Sequence, residues 1–369
     1  MYQRIVIKVG TSTLTAGQQH LSMPLMVELV RQIATLRQSG RDVILVSSGG
    51  IAAGRELMHH PKLPHYLPAK QMLAAVGQPR LMAIYTQLFA LYDQKIAQVL
   101  LTREDLAERM RYLNARTTLE ALLDYQIIPI INENDTIATE EIRFGDNDNL
   151  SALVSNILES DMLILLTDQE GVFTADPRLN HHVKIISEIS DDHIPHEILK
   201  AASESSNGLG TGGMVSKLSA ADLARRSGAE VVVANGCASD VLIRLAINEE
   251  KLGTHFTALG THLESRKRYL LSGMKTTAGT IKIDEGAVDA LRKGGSLLPV
   301  GITSVKGNFS RGESVTIADS DGDGIAVGLS NYQADEIKKI AGKHSDKIET
   351  VLGYAYGAEV VHHNSMVLL

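Results

Sequence analysis

MYQRIVIKVGTSTL, residues 1–14, sets the reading of the whole chain. Its apolar run Ile5-Val6-Ile7 is short and β-branched, so it reads as a buried strand. The run ends in Lys8-Val9-Gly10-Thr11-Ser12, which is a cation, a glycine and two hydroxyls. At the carboxyl end of a strand these groups hold an anion by charge, close backbone approach and N–H donors. A surface lysine before an ordinary turn is the plainer interpretation of the motif taken alone.

The same grammar repeats downstream. Val43-Ile44-Leu45-Val46, Val99-Leu100-Leu101, Ile127 to Ile131, Met162 to Leu166 and Val231-Val232-Val233 are further buried strands ending at small polar residues or glycine. Helical spacing separates them: Pro24 to Gln38 carries Leu25, Leu29, Ile33 and Leu36 on one face, and residues 70–92, 114–124, 148–158 and 214–227 are similar. Strand–helix alternation of this kind predicts an α/β fold, a mainly parallel open sheet sandwiched by helices. Such a sheet places ligands at its carboxyl edge.

The pattern changes after about residue 265. Arg266-Lys267-Arg268 precedes Tyr269-Leu270-Leu271, and short strands follow at Thr280 to Ile283, Ile302 to Val305, Ser314 to Ile317 and Ile325 to Leu329. Gly and Asp/Asn turns separate them, and one or two helices are expected, such as Asp284 to Lys293. The boundary falls near residue 273, giving a first domain over 1–260 and a small β-rich domain over 274–369.

Four more stretches carry chemistry. Val46-Ser47-Ser48-Gly49-Gly50-Ile51 ends the second strand with two glycines that let a ligand reach the main chain. From Asn132-Glu133-Asn134-Asp135 to Gly145-Asp146-Asn147-Asp148-Asn149, the density of short polar residues suits the zwitterionic head of an amino acid. Asp is expected to take the ammonium, with Asn and helix N–H groups on the carboxylate; Asp148 or Asn149 also reads as a helix N-cap. Leu165-Leu166-Thr167-Asp168 meets the ligand edge. Gly208 to Lys217, GLGTGGMVSK, joins a glycine-rich loop to a helix start with a lysine in the first turn, a phosphate cradle. It is not a P-loop, because Met214 stands where Lys is required, nor a dinucleotide fingerprint, because it does not follow the first strand.

Composition narrows the rest. The chain has 369 residues, 44% hydrophobic and 21% charged, so it has the means to bury a core in each of two domains. Net charge is −7, against a surface that neutralises nucleic acid throughout. One cysteine, Cys237, supports neither a disulfide framework nor a cysteine-based zinc site. Aromatics are 4% with no Trp, against base-stacking platforms. There is no signal-peptide pattern and no apolar window of roughly 18 residues, so a cytoplasmic protein off the membrane is expected. Asp319-Ser320-Asp321-Gly322-Asp323-Gly324 imitates half an EF-hand, but Ser330 occupies its twelfth position, and a hairpin turn is expected. His59-His60, His181-His182 and His362-His363 read as solvated histidines.

In order and combination, these motifs resemble the amino acid kinase family over nearly the whole chain: KVGTS at Lys8, SSGGIAAGR at Ser47, KQMLAAVGQ at Lys70, INENDT at Ile131, FGDNDNLSA at Phe144, LLTDQEGVFTADPR at Leu165 and GLGTGGMVSK at Gly208. The tail, with Ser296-Leu297-Leu298-Pro299 and Gly307 to Gly312, resembles a PUA module. Gly50 and Ser216 depart from the commoner alanine and threonine. Within the family the resemblance points to members that phosphorylate the side-chain carboxylate of L-glutamate with ATP, feeding proline synthesis. It implies that Lys8, Lys217 and Asp148 are catalytic. It places ATP on Lys8, Gly10, Thr167, Asp168, Thr211, Gly212, Gly213, Met214, Val215, Ser216 and Lys217, and glutamate on Ser48, Gly49, Asp135 and Asn147. Mg²⁺ is expected as cofactor, bridged through ATP and water without direct protein ligands.

The resemblance also implies feedback inhibition by proline, a homo-oligomer (dimer or tetramer) and hand-off of the product to glutamyl phosphate reductase. The physics agrees with phosphoryl transfer: the acceptor carboxylate is already an anion at pH 7, so the task is to bring two anions together between cations. Kinases of the same fold acting on N-acetylglutamate, aspartate, carbamate or UMP, and a nucleotide sensor without catalysis, are the nearest alternatives. RNA binding through the tail is the alternative from another class, but residues 274–369 hold 10 Lys+Arg against 12 Asp+Glu.

Overall fold

The computed structural model describes residues 2–64, 66–138, 146–175, 183–204, 213–261 and 277–369. Backbone contacts divide the chain into two units, Met1–Leu106 with Ala115–Thr261, and Ala107–Asn114 with His262–Leu369. The expected boundary near 273, the basic triplet at 266–268, the strand at 269–271 and His181-His182 lie outside the described residues.

Among the described residues up to Thr261, the strands are β1 (Arg4–Val9), β2 (Asp42–Ser47), β3 (Ile96–Leu101), β4 (Ile128–Glu133), β5 (Met162–Thr167), β6 (Glu188–Ile189), β7 (Glu230–Asn235) and β8 (Thr254–Phe256). The helices are α1 (Thr11–Thr15), α2 (Met23–Gln38), α3 (Gly50–Leu57), α4 (Leu67–Ala90), α5 (Arg103–Ala107), α6 (Arg109–Asp124), α7 (Asp146–Ile157), α8 (His196–Glu204), α9 (Met214–Arg225) and α10 (Val241–Ala246). The sheet runs β3-β4-β2-β1-β5-β7-β8-β6. Its first six strands in that order are parallel, and β8 turns antiparallel to β7. Strand β1 lies between β2 and β5, where strand order reverses, and Lys8 pairs with Val46 on one side and Leu165 on the other.

Alternation along β1 divides its side chains between two layers. Ile5, Ile7 and Val9 join a core with Val43, Leu45, Ile164 and Leu166, covered by α2, α4 and α10 through residues such as Ile33, Leu81 and Leu242. Each such buried aliphatic contributes roughly 1.5–3 kcal/mol. The other layer holds α7 and α9 against β1, β5 and β7. Lys8 is on that second side, one residue from the sheet's carboxyl edge.

Helices α3 and α4 meet backbone to backbone. A Cβ on Gly77 would lie 1.9 Å from Gly50 O, and one on Gly54 would lie 2.0 Å from Leu73 O, so only glycine fits at either position. None of the described helices is long and apolar enough to cross a membrane.

The second unit has its own sheet, β10-β9-β11-β12-β13, from β9 (Gly279–Ile283), β10 (Ile302–Gly307), β11 (Ser314–Ala318), β12 (Gly324–Leu329) and β13 (Met366–Leu368). With α11 (Glu285–Arg292), α12 (Ala334–Ile340) and α13 (Ile348–Leu352), it encloses a core of residues such as Ile281, Leu291, Ile317, Tyr332 and Ile337. The acidic loop at 319–323 is the β11–β12 hairpin turn, as expected: Asp319 Oδ1 accepts the N–H groups of Asp321, Gly322 and Asp323. Strand β13 and helices α12 and α13 were not legible, because each is short and its apolar residues lack a sustained period.

Candidate active site

Four parallel strands deliver polar residues to one edge. Lys8 is the penultimate residue of β1, Ser48 follows β2, Asp135 follows β4, and Thr167-Asp168 closes β5. Ser48 N donates to Val9 O at 3.0 Å, which ties the second of these ends to the first. Gly49 then turns with φ +109°, a conformation that favours glycine, and starts α3. Gly10 leaves room for the cation: a Cβ there would stand 3.3 Å from Lys8 Nζ.

Asp148 is the hub. It lies in the first turn of α7, inside the helix, so the expectation of an N-cap at Asp148 or Asn149 does not hold. The carboxylate is 1% exposed. Lys8 Nζ approaches Oδ1 at 2.5 Å, an ion pair without an aligned hydrogen bond. Lys217 Nζ donates to Oδ2 at 3.3 Å, and Ser216 Oγ donates to the same oxygen at 2.6 Å. Burial pushes the Asp148 carboxyl up, but the two ammonium groups and the hydrogen bonds outweigh it and hold the group at about 2. Burial pulls Lys8 below the usual lysine range, and the Lys217 charge adds to that pull while Asp148 opposes it. Lys8 and Lys217 are 5% and 6% exposed, so the tail-like mobility of a surface lysine is absent from both. That overturns the plainer reading of Lys8 as a surface residue.

Lys217 arrives from α9, whose N-cap Gly213 has extended backbone and no side-chain cap. The first-turn N–H groups of Met214, Val215 and Ser216 are therefore not capped by a side chain, which suits phosphate oxygens. Ser216 spends its hydroxyl on Asp148 and Gly213 O, leaving its backbone for a nucleotide. Thr167 Oγ1 donates to Asp168 Oδ1 at 3.1 Å beside this cradle, with Thr167 buried and Asp168 exposed. Thr211 and Gly212 lie outside the described residues.

A second group of polar residues adjoins the first. Asn147 Nδ2 donates to Ser48 Oγ at 2.8 Å and to Asn132 Oδ1 at 2.9 Å. Glu133 N donates to Asn132 Oδ1 and Asn147 Oδ1. Asp135 stands apart from these bonds and is raised to about 6 by burial, against the pull of the Lys70 charge. Asn132, within the polar stretch expected to meet an amino acid head, and Gln78, for which the sequence suggests no role of its own, are both buried amides, at the end of β4 and on the covered side of α4. Among the described residues, no group of three or more His, Cys, Asp or Glu converges as a metal cage.

The arrangement can seat a phosphorylated anion between two cations and hold an amino acid head alongside. Comparison with known proteins agrees with that chemistry. The family model described as the amino acid kinase family matches residues 3–235, and the PUA domain model matches residues 279–352. A glutamate 5-kinase of Shewanella pealeana is 52% identical over 369 residues, covering 100% of this chain and 98% of its own length. Those of Pasteurella multocida and Vibrio vulnificus are each 50% identical over 366 residues, covering 99% of this chain and 98% and 96% of theirs.

Proposed function

This chain belongs to the amino acid kinase family, and from that premise we propose that it transfers the γ-phosphoryl group of ATP to the γ-carboxylate of L-glutamate, yielding L-glutamyl 5-phosphate for proline biosynthesis. One observation carries the mechanism: Lys8 and Lys217, far apart in sequence, share one buried carboxylate at the sheet's switch point. The acceptor oxygen is already anionic and needs no general base. What opposes the reaction is repulsion between acceptor and phosphate, together with negative charge spread over the transferring group. Two fixed ammonium groups answer both, and they require no reorganisation at the moment of transfer. Asp148 orients both ammonium groups and opposes the pull of burial on the Lys8 charge.

ATP lies along the first turn of α9, with Gly10, Gly213, Met214, Val215 and Ser216 offering backbone and Thr167 and Asp168 bounding the nucleotide. Glutamate lies against Ser48, Gly49, Asp135 and Asn147, with Asp135 toward its ammonium. Mg²⁺ would be held through ATP and water, since Asp148 is taken up by Lys8, Lys217 and Ser216, and it would supply neutralisation of phosphate charge. Proline, which resembles a cyclised glutamate, competes at the same subsite. A homo-oligomer and hand-off of the labile acyl phosphate to glutamyl phosphate reductase belong to the same reading and follow from the resemblance, and a cytoplasmic setting follows from the sequence pattern of the chain.

The test is ADP release across glutamate, N-acetylglutamate, aspartate, carbamate and UMP, with hydroxylamine trapping of the acyl phosphate. Glutamate-dependent ADP release with a trapped hydroxamate is expected. Turnover with another acceptor and none with glutamate would reject the assignment.

A further inference from the structure

Ser48 and Asn147 end a chain of amides that the transfer itself does not use. Asn147 Nδ2 donates to Asn132 Oδ1 at 2.9 Å, Asn132 Nδ2 donates to Gln78 Oε1 at 2.8 Å, and Gln78 Nε2 donates to Gln98 Oε1 at 3.2 Å. Every bond runs in one sense, from α7 through β4 and α4 to β3. An amide has two N–H donors and one carbonyl oxygen. Both donors of Asn147 are spent inside the protein, on Asn132 and Ser48, and its Oδ1 already takes the Glu133 N–H at 3.2 Å. What Asn147 still offers a ligand is a lone pair. Ser48 Oγ, which accepts from Asn147, keeps its own O–H as a donor. The subsite therefore presents a donating hydroxyl beside an accepting amide oxygen, matching the carboxylate and ammonium of an amino acid. This reverses the expectation that Asn147 serves the carboxylate.

Two contacts hold that sense: the Glu133 N–H on Asn132 Oδ1, and Gln78 Oε1 on Asn132 Nδ2. Gln78 is 8% exposed and has little room to turn. Its neighbour Gly77 sits against the backbone of Gly50 and Gly54, and a Cβ at Gly50 would stand 3.0 Å from Gln78 Oε1. Without Gln78, Asn132 Nδ2 becomes a buried donor with no acceptor, and turning to recover one breaks its bond to Asn147.

We infer that Gln78 is a positioning residue for the acceptor: through Asn132 it sets the orientation of the Asn147 amide, and so the donor–acceptor polarity that receives the amino acid head. This rests on the reading that Ser48 and Asn147 hold glutamate.

Four kinds of variant test it. Gln78→Met removes the acceptor oxygen with little change in volume. Gln78→Asn withdraws that oxygen by one methylene and serves the same test where Gln78→Met does not fold. Gln78→Glu retains an oxygen for Asn132. Ser48→Ala and Asn147→Ala test the subsite itself. Gln78→Met is expected to raise the glutamate KM about tenfold, with kcat and the ATP KM within about twofold of the parent. Gln78→Glu is expected to fall nearer the parent, and Gln78→Met combined with Asn147→Ala to be non-additive on glutamate KM. If Ser48→Ala and Asn147→Ala leave glutamate KM unchanged, the subsite assignment fails and this inference with it. If they raise it while Gln78→Met or Gln78→Asn does not, or if the double variant is fully additive, the role given to Gln78 is overturned and the subsite stands.

Discussion

Lys8 Nζ and Asp148 Oδ1 are 2.5 Å apart, 140 positions apart in sequence (148 − 8), and both are almost wholly buried. One end of this pair lies on the central strand and the other on the helix that covers it. Lys217 completes the set from a third element, so one carboxylate gathers two cations where the sheet's strand order reverses.

Lys8→Met and Lys217→Met should each lower kcat at least about 100-fold, since each removes a preorganised charge at the transferring group. Both lysines are buried, so each change also leaves Asp148 short of a partner and costs about 1–3 kcal/mol of stability. Steady-state kinetics and denaturant unfolding measure the two effects separately. Near-parental kcat in both variants would remove these lysines from the mechanism.

Asp148→Asn strands two buried ammonium groups without their counter-charge. Breaking a buried ion pair from one side costs about 3–5 kcal/mol. Lys8, already drawn down by burial and by Lys217, loses the influence that opposes them. Activity of the variant should therefore decline at a lower pH than that of the parent on the alkaline side. A pH–rate profile with an unshifted alkaline limb would show that Asp148 does not maintain the Lys8 charge.

Acid unfolding should report the same carboxylate. Its folded value of about 2 lies below its unfolded value of about 3.9. The stabilisation is complete above about 3.9 and is lost as pH falls through 2, amounting to roughly 2 kcal/mol. Between pH 4 and pH 2 the parent should lose more stability than Asp148→Asn, as measured by urea midpoints across that range. Parallel curves would contradict the depressed value.

Asp135 behaves in the opposite sense. Burial lifts it to about 6, so folding favours its protonated form, and the stability that form confers is lost as pH rises through about 6. Asp135→Asn should accordingly raise stability at pH 8 by about 2 kcal/mol while raising the glutamate KM, a trade of binding against folding. The parent's glutamate KM should also rise as pH falls below about 6. A variant with an unchanged KM would move the ammonium contact to another residue.

Much of this was readable in linear form. The runs at Ile5, Val43, Met162 and Val231, rich in β-branched residues or leucine, became buried parallel strands because both faces of such a sheet are covered by helices. Lys8, Ser48, Asp135 and Thr167 could be placed at one edge because each stands at the end of a strand running the same way. Short elements escaped: α3 begins in the Gly49-Gly50 turn, and α10 is only a turn and a half. Burial of the two lysines was not legible either, since a cation's exposure depends on what packs over it. The same holds for the amides. Nothing in the spelling of KQMLAAVGQ or INENDT says that Gln78 and Asn132 share a hydrogen bond.

The order of strands and helices, the kind of edge they build and the residue types available there follow from the chain's local pattern, because periodicity and turn chemistry are properties of neighbours in sequence. Which of those residues meet was decided by tertiary structure alone. The convergence of Lys8 and Lys217 on Asp148, and the one-way run of amides behind Asn147, depend on strand register and on the glycine-to-glycine contact of α3 with α4. Register and contact join distant segments, and the direction of a hydrogen bond is determined only once both partners are in place.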